Sequence, residues 1–397
     1  MGVPPFSQLL TTHYSLLTLL SLFNFGPKSK LGIDIGTSSI KIVELEDSGR
    51  FKLKNYGLFE LQSADGDLDV DSKQVHSKLP VHLNDADLVW GIKETLRLTK
   101  TTTKDAVASI QSFSTFSTVI TMPYLSENEI AKAIPFEAKK YIPLPLAEVI
   151  LDWSIINAKS PIGSAPSTGD GSSGSNFKDE SKLKNDSPIV EVFLVAVPRD
   201  EAARYQFIMK QAGLNLRALE LENNALIRAV MGNDLGPAAI INIGGRSSSI
   251  LIVDKGIERL SHNYEVGGFE ITKSISRSMN ISLQRAEEMK RTLGFGKDES
   301  NAIKQSTSSL IDLIVFETRK TIHNYEDSRQ TRVGKVFLVG GLTNMPGFLE
   351  YFKEKLKFEI APGNPTARII IPAELEPLRK ELNSTFSVAL GLAMRKI

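Results

Sequence analysis

The chain of 397 residues is 41% apolar and 23% charged with a formal net charge of +1, the profile of a soluble globular protein too long for one ordinary core, so two lobes or several subdomains are expected. Near-neutral charge without a long Lys/Arg block removes the electrostatic footprint of a general nucleic-acid binder. Absence of cysteine excludes disulfides, thiolate zinc sites and cysteine nucleophiles and fits a reducing compartment, and the five histidines (His13, His76, His82, His262, His323) show no metal-ligand spacing.

Residues 1–27 are Leu-rich but broken by His13, Thr and Ser, with no apolar run of membrane-spanning length and no basic residue ahead of the apolar part. Three readings stay open: a helix docked on the body, a segment lying on a membrane surface, or residues upstream of the true start. None puts the segment in the site.

The stretch LGIDIGTSSIKIVE, Leu31 to Glu44, reads as strand, glycine turn, strand. Leu31, Ile33 and Ile35 alternate with Gly32 and Asp34, and Ile40 and Ile42 share a face of the return strand opposite Lys41 and Val43. In the turn, Gly36 lets backbone approach a ligand, and successive N–H groups with the Thr37, Ser38 and Ser39 hydroxyls can surround phosphate oxygens. Asp34 can hold a hydrated magnesium, and Lys41 can meet a phosphate as a point charge. An ordinary Gly-Thr-Ser hairpin is the bland alternative. The stretch is neither a GxxxxGK[ST] loop nor a GxGxxG fingerprint, which disfavours P-loop and Rossmann readings.

A third strand, FKLKNYGLFEL, completes a meander; residues 62–85 read as a polar surface loop and Asp87–Leu98 as a short helix. DAVASI and STVITMP are two further strands. Ser126 and Glu129 form a capping box opening a helix with Ile130, Ile134 and Phe136 on one side, kinked by Pro135. VILDWSII and IVEVFLVAVP read as neighbouring strands. Between them, residues 159–187 are Ser/Gly/Asp/Lys-rich and nearly free of apolar side chains, so they read as a disordered insert in a hairpin loop, with an interdomain linker as the rival.

Pro198–Ala212 is a helix, Asn215–Glu220 a strand, and Glu222–Met231 a helix closed by Gly232. Ala238–Ile243, the turn Gly244-Gly245-Arg246-Ser247-Ser248-Ser249 and Ile250–Val253 then repeat the opening pattern, with Ile257–Tyr264 as third strand. This spacing suggests an internal duplication. Helices follow to Met279, over SLQRAEEMKRTLG and over Ser309–Tyr325; Lys335–Val339 is a strand, Pro346–Leu356 a helix, and Thr385–Met394 a last helix.

On these motifs the chain resembles the actin/sugar-kinase/chaperone nucleotide-binding superfamily, and within it the PilM family of type IV pilus assembly proteins, with the FtsA division proteins next. The resemblance covers about residues 30–397. It implies a two-lobed actin-like α/β fold of duplicated mixed-sheet lobes with an extra subdomain (1C), carried by MPYLSENEIAKAIPFEAKKYIPLPLAEVILDW. The implied division is 28–102 first lobe, 103–200 subdomain with its insert, 201–236 return to the first lobe, and 237–397 second lobe. FtsA proteins end in an amphipathic membrane helix after a linker; this sequence ends on SVALGLAMRKI, which favours PilM.

The resemblance further implies ATP with Mg2+ between the lobes. LGIDIGTSSIKIVEL matches the first phosphate motif, with Asp34 as the magnesium-linked aspartate and Lys41 as the phosphate lysine. INIGGRSSS matches the second, giving Gly244, Gly245 and Ser247. VFLVGGLTNMPG matches the nucleoside motif, with Gly340, Gly341 and Asn344, and Ala286 to Gly294 matches the helix meeting ribose and adenine through Glu287 and Lys290. One departure stands out: Asn242 occupies the position where the superfamily usually carries a second aspartate, which weakens metal attraction and water activation. Arg246 can add charge near the γ-phosphate or merely solvate its turn. Glu222 matches the acidic residue beside the attacking water, or is a first-turn helix carboxylate favoured by the dipole. The expectation is ATP binding with slow or absent hydrolysis.

The implied role is a cytoplasmic scaffold, peripheral at the inner membrane through partners, that binds the N-terminal peptide of a PilN-like protein near Phe136, Tyr141 and Ile142, alongside other pilus assembly proteins and with self-association as an option. A related type II secretion system is a second setting. A small-molecule kinase would need a catalytic aspartate at the second turn, where none stands. An FtsA-like filament former is another alternative, and a chaperone is the least favoured reading, since no substrate-binding domain follows in this sequence.

Overall fold

The computed structural model describes residues 28–61, 84–158, 189–296 and 301–397. The expectations for residues 1–27, for the loop at 62–83 and for the insert at 159–187 lie outside the described residues.

β1 (Lys28–Ile35), β2 (Ser39–Asp47) and β3 (Phe51–Glu60) form the expected antiparallel meander. α1 (Asp85–Thr99) follows, its first turn capped by the Asn84 side chain accepting from the Ala86 N–H at 3.1 Å. β4 (Asp105–Ile110) returns parallel to β1. The chain then leaves this sheet to build a smaller unit: β5 (Phe116–Pro123), α2 (Glu127–Ala138), β6 (Val149–Ala158) and β7 (Ile189–Pro198), with strand order β5-β7-β6. It rejoins through α3 (Arg199–Gln211), β8 (Asn215–Leu221) parallel to β4, and α4 (Glu222–Met231).

The second half repeats the plan. β9 (Ala238–Ile243), β10 (Ser248–Asp254) and β11 (Ile257–Tyr264) are an antiparallel meander, followed by α5 (Gly268–Met279), α6 (Leu283–Thr292) and α7 (Asn301–Arg329). β12 (Lys335–Val339) pairs parallel with β9, and after α8 (Phe348–Leu356) β13 (Ile360–Pro362) pairs parallel with β12. β14 (Ile369–Ile370), α9 (Arg379–Thr385) and α10 (Ser387–Ala393) complete the chain. The two large sheets, β14-β3-β2-β1-β4-β8 and β11-β10-β9-β12-β13, share the same internal order, so the duplication suggested by the two glycine turns is present in the topology.

Each large sheet is covered on its faces. Leu31, Ile33, Ile40 and Ile42 pack with Leu88 and Ile92 of α1 and Tyr205 and Ile208 of α3. The opposite face of β1 receives α10, and a Cβ on Gly32 would stand 2.0 Å from the Ala389 carbonyl oxygen, so glycine alone permits this approach. The chain thus crosses back after β13 to finish on the first sheet. The second sheet's core joins Ile241 and Ile250 to Ile271 and Ile275 of α5, Ile314 of α7 and Phe348 of α8.

Three expectations need correction. Phe136 does not share a side with Ile130 and Ile134: it is 71% exposed while they are buried, because a residue two positions from Ile134 faces the other way on a helix. Of its neighbours, Tyr141 is exposed and Ile142 is core. The helix read over Ser309–Tyr325 extends to Asn301–Arg329, since Ile303 and Thr307, one turn apart, are buried and continue its packed face. The final helix is broken at Phe386 (φ −103°, ψ 12°), whose ring packs edge-on to Tyr56 at 5.6 Å. The Ser126 capping box is present, with its N–H and hydroxyl both donating to Glu129, and α2 continues through Pro135 to Ala138.

Candidate functional site

The two hairpin turns have the same build. The Gly36 N–H donates to Ser39 O at 3.0 Å and the Gly244 N–H to Ser247 O at 2.9 Å, each closing a four-residue loop. In register, Asp34 stands opposite Lys41 on the first hairpin and Asn242 opposite Ser249 on the second. Asp34 and Asn242 are therefore equivalent positions of the duplicated unit, each two residues before the turn glycine. The turns come together: a Cβ on Gly245 would lie 1.9 Å from Ser38 Oγ. Between them opens a cleft of about 460 Å³, counting space open to solvent, lined by Asp34, Gly36 and Thr37 on one side and by Asn242, Gly244, Gly245 and Ser247 on the other, with Glu222 at its base.

Lys41 Nζ lies 3.1 Å from Asp34 Oδ2, so the lysine reaches the cleft through its ion pair. Glu222 begins α4, and its Oε1 accepts from Asn242 Nδ2 at 3.1 Å. Burial pushes the Glu222 carboxyl up to about 7, the nearby Asp34 charge pushes the same way, and Lys41, the Ser112 N–H and Asn242 oppose both. Ser38 and Ser39 support the turn from outside the cleft lining: the Ser38 carbonyl accepts from the Leu61 N–H at 2.9 Å, and Ser39 is buried. Arg246 lays its guanidinium 4.6 Å over the Phe269 ring and does not line the cleft.

Sequence reasoning missed Gln111, Ser112, Phe113 and Asn263, which also line the cleft, and assigned no role to Ser249. Gln111 Nε2 donates to Ile35 O at 2.6 Å, holding the first turn, and Ser112 Oγ donates to Asn263 Oδ1 at 3.1 Å, bridging the halves. The available signal was position: Gln111 directly follows the buried β4, as Gly36 follows β1. Ser249 Oγ is buried and has no hydrogen-bond partner among the described residues.

None of the residues assigned to a nucleoside lines the cleft: Glu287 and Lys290 sit against the start of α5, and Gly340, Gly341 and Asn344 lie in the loop after β12. The Gly268 N–H donates to Gly244 O at 2.9 Å and the Phe269 N–H to Gly245 O at 2.7 Å, which docks the start of α5 on the second turn. Lys290 Nζ donates to Gly268 O at 3.0 Å and to Thr272 Oγ1 at 2.8 Å, and pairs with Glu287 at 2.6 Å. Burial lowers the Lys290 pKa; burial raises that of Glu287, but Lys290, Thr272 and Arg291 outweigh it and hold the carboxyl below its usual range. Gly340 (φ +94°) is packed rather than open, since a Cβ there would meet Ile243 O at 2.2 Å. Gly341 has nothing within 4 Å of its Cβ position. Asn344 Nδ2 donates to Ser384 Oγ at 2.7 Å, tying this loop to α9.

Among the described residues, no group of three or more His, Cys, Asp or Glu is placed to hold a metal. Magnesium held by one or two carboxylates fills its octahedral shell with waters and phosphate oxygens. Asp34, the two glycine turns and the unpartnered Ser249 hydroxyl fit that arrangement.

A family model described as "Type IV pilus assembly protein PilM" matches residues 32–165 and 176–397. The ethanolamine utilization protein EutJ of Escherichia coli K12 is 27% identical over 148 residues, 37% of this chain and 48% of that protein. The cell division protein FtsA of Helicobacter pylori J99 is 26% identical over 238 residues, 52% of this chain and 48% of that protein. The chain thus spans about half the length of these two relatives. A solved structure titled "PilM-PilN type IV pilus biogenesis complex" shares the fold with a TM-score of 0.72 at 22% identity, covering 93% of this chain and 99% of that one. No helix of the described residues is long and apolar enough to cross a membrane. With the family model matching nearly the whole chain, the protein belongs to the PilM family of type IV pilus assembly proteins and has the actin-like ATPase fold.

Proposed function

We propose that this chain is an ATP-binding scaffold on the cytoplasmic side of the type IV pilus inner-membrane assembly, holding the N-terminal peptide of a PilN-like partner in a nucleotide-dependent way and hydrolysing ATP slowly or not at all. The observation that carries this reading is the pair of facing turns with Asp34 on one strand and Asn242, not a second carboxylate, at the equivalent position of the other. Gly36, Thr37, Gly244, Gly245 and Ser247 offer backbone N–H groups and hydroxyls to phosphate oxygens. Asp34 takes the metal side, and Lys41 supplies charge through its pair with Asp34. Glu287, Lys290, Gly341 and Asn344 take the nucleoside. Magnesium, when bound with ATP, neutralises phosphate charge.

Glu222 is the cleft residue we assign to orienting water, yet its carboxylate accepts from Asn242 and its raised pKa leaves it part-protonated near neutrality. Slow chemistry follows from that pairing. The three-stranded unit supports the scaffold role: Phe136, Tyr141 and Leu144 are exposed around α2, an apolar surface for a partner peptide.

The test is a single-turnover assay with labelled ATP and magnesium, reading bound nucleotide and its ATP-to-ADP ratio together, followed by titration of a PilN-like N-terminal peptide with and without nucleotide. Bound, intact ATP lost in Asp34→Ala supports the reading. Rapid turnover by the parent would make the protein a working ATPase, and no binding at all would leave only the fold.

A further inference from the structure

A second opening, of about 1020 Å³ counting space open to solvent, lies along α4. Asn224, Ile227, Arg228 and Met231 form one stripe of that helix, and Gly256 of the β10–β11 turn faces them from the second half of the molecule. Arg395 and Lys396, beyond α10, complete the rim.

The one carboxylate in this wall, Glu220, is used up. Its side chain is 4% exposed, Arg228 takes both oxygens at 2.8 Å, and Arg395 donates to Oε2 as well. Arg395 makes that bond through one nitrogen. Arg368 lies against Gly232 of the same wall; a Cβ on that glycine would be 3.2 Å from the guanidinium carbon. Arg368 donates to the carbonyls of Arg228 and Ala229, not to a carboxylate. Lys30 donates to the Arg395 carbonyl. Asp47 acts on Lys30 and Asp152 on Arg395, and among the described residues neither Arg368 nor Lys396 forms an ion pair with a side-chain carboxylate.

Burial lowers the Lys30 pKa, and Lys28, Arg228 and Arg395 lower it further against Asp47; burial and Arg228 lower that of Arg368. Arg228 spends both terminal nitrogens on Glu220 and the Gly391 carbonyl, whereas Arg395 and Arg368 each donate through one nitrogen among the described residues, and guanidinium groups with nitrogens to spare beside an open hollow are the chemistry that captures phosphate-class dianions. Asn224 and the Gly232 and Gly256 backbones add uncharged hydrogen-bonding groups, and Ile227 and Met231 give the hollow an apolar floor.

The geometry points to an anion-binding site between α4, Arg368 and the Arg395-Lys396 segment, separate from the cleft, that takes a small phosphate-class dianion. It stands independently of the function proposed for the cleft. α4 carries Glu222 of the cleft at its first residue and this wall over the rest of its length, so one rigid helix touches both places.

Inorganic phosphate is the probe, titrated at constant ionic strength into the parent, into Lys41→Gln, which alters the cleft, and into the double variant Arg368→Gln/Lys396→Gln, whose two residues are exposed. Calorimetry reads the affinity, and melting temperature checks that each variant folds. The expected result is like affinity in the parent and in Lys41→Gln, with a loss of roughly tenfold or more in the double variant. Loss in Lys41→Gln with retention in the double variant would put the phosphate in the cleft and overturn the proposal. Equal binding by all three, no binding up to about 10 mM, or an effect reproduced by sodium chloride would overturn it too.

Discussion

The amide of Asn242 donates to the carboxylate of Glu222 at 3.1 Å, joining the equivalent of Asp34 in the second hairpin to the first residue of α4. This contact places a neutral donor where a carboxylate would repel Glu222, which stands half-buried within electrostatic reach of Asp34. Burial first and the Asp34 charge second raise the Glu222 pKa against this hydrogen bond, and the raised pKa makes stability depend on pH. Glu222 titrates near 4.5 when unfolded and at about 7 when folded, so its contribution to stability is fully present below about pH 4.5 and is lost as pH rises through 7. Glu222→Gln removes this dependence. Denaturant melts of parent and variant should converge near pH 4.5 and diverge by pH 8, the variant being more stable there by at most about 3 kcal/mol.

Asn242→Asp restores a charge opposite Asp34 and removes the amide donor to Glu222. Magnesium-dependent turnover should rise by about tenfold or more in a single-turnover assay. Without magnesium the same variant should melt below the parent at pH 8, because the new charge faces both Glu222 and Asp34. Unchanged turnover would show that water orientation is not what limits the parent.

Gly32 and Gly341 make a contrasting pair. Alanine at Gly32 meets the Ala389 oxygen at 2.0 Å and the Ala393 nitrogen at 2.6 Å, both backbone atoms of the C-terminal helical segment, so β1 and α10 must separate. A loss of about 3 kcal/mol is expected from urea unfolding. Gly341→Ala meets nothing and should stay within about 0.5 kcal/mol, while a loss of ATP affinity there would mark a backbone surface that a nucleoside needs.

Glu191 of β7 ties the three-stranded unit to the second half of the molecule by pairing with Arg259 of β11 and with Arg329 at the end of α7. The Arg259 side chain is 5% exposed and its Nε has no hydrogen-bond partner among the described residues, so Glu191→Gln strands a buried cation. The expected loss is about 3 kcal/mol, and Glu191→Leu with Arg259→Met should recover much of it. Equal losses in the single and double variants would assign the effect to packing.

Phe136→Ala should leave stability within about 0.5 kcal/mol, since the ring is 71% exposed. A PilN-like peptide should bind the variant roughly tenfold more weakly. Ile134→Ala, at a buried neighbour, should show the reverse pattern, with a stability loss of about 2–4 kcal/mol.

The sequence by itself determined most helices and strands, the two glycine hairpins and their kinship, because alternating Leu31, Ile33 and Ile35 or Ala238–Ile243 fix a buried strand locally, and Gly36 and Gly244 fix where it turns. The PilM-type motif order was legible for the same reason: it is written in contiguous residues. Local pattern could not reveal what depends on contacts between distant segments. β13 and β14, three and two residues long, exist only because β12 and β3 offer them an edge. The contact of Phe386 with Tyr56 joins segments far apart in the chain, and the exposure of Phe136 depends on which face of α2 meets β7. Gln111 and Asn263 enter the cleft only once the two halves face each other. The packing of Gly340 against Ile243 and the gathering of cations beside α4 were likewise decided by tertiary structure, since burial and ion pairing are properties of neighbours that chain order does not state.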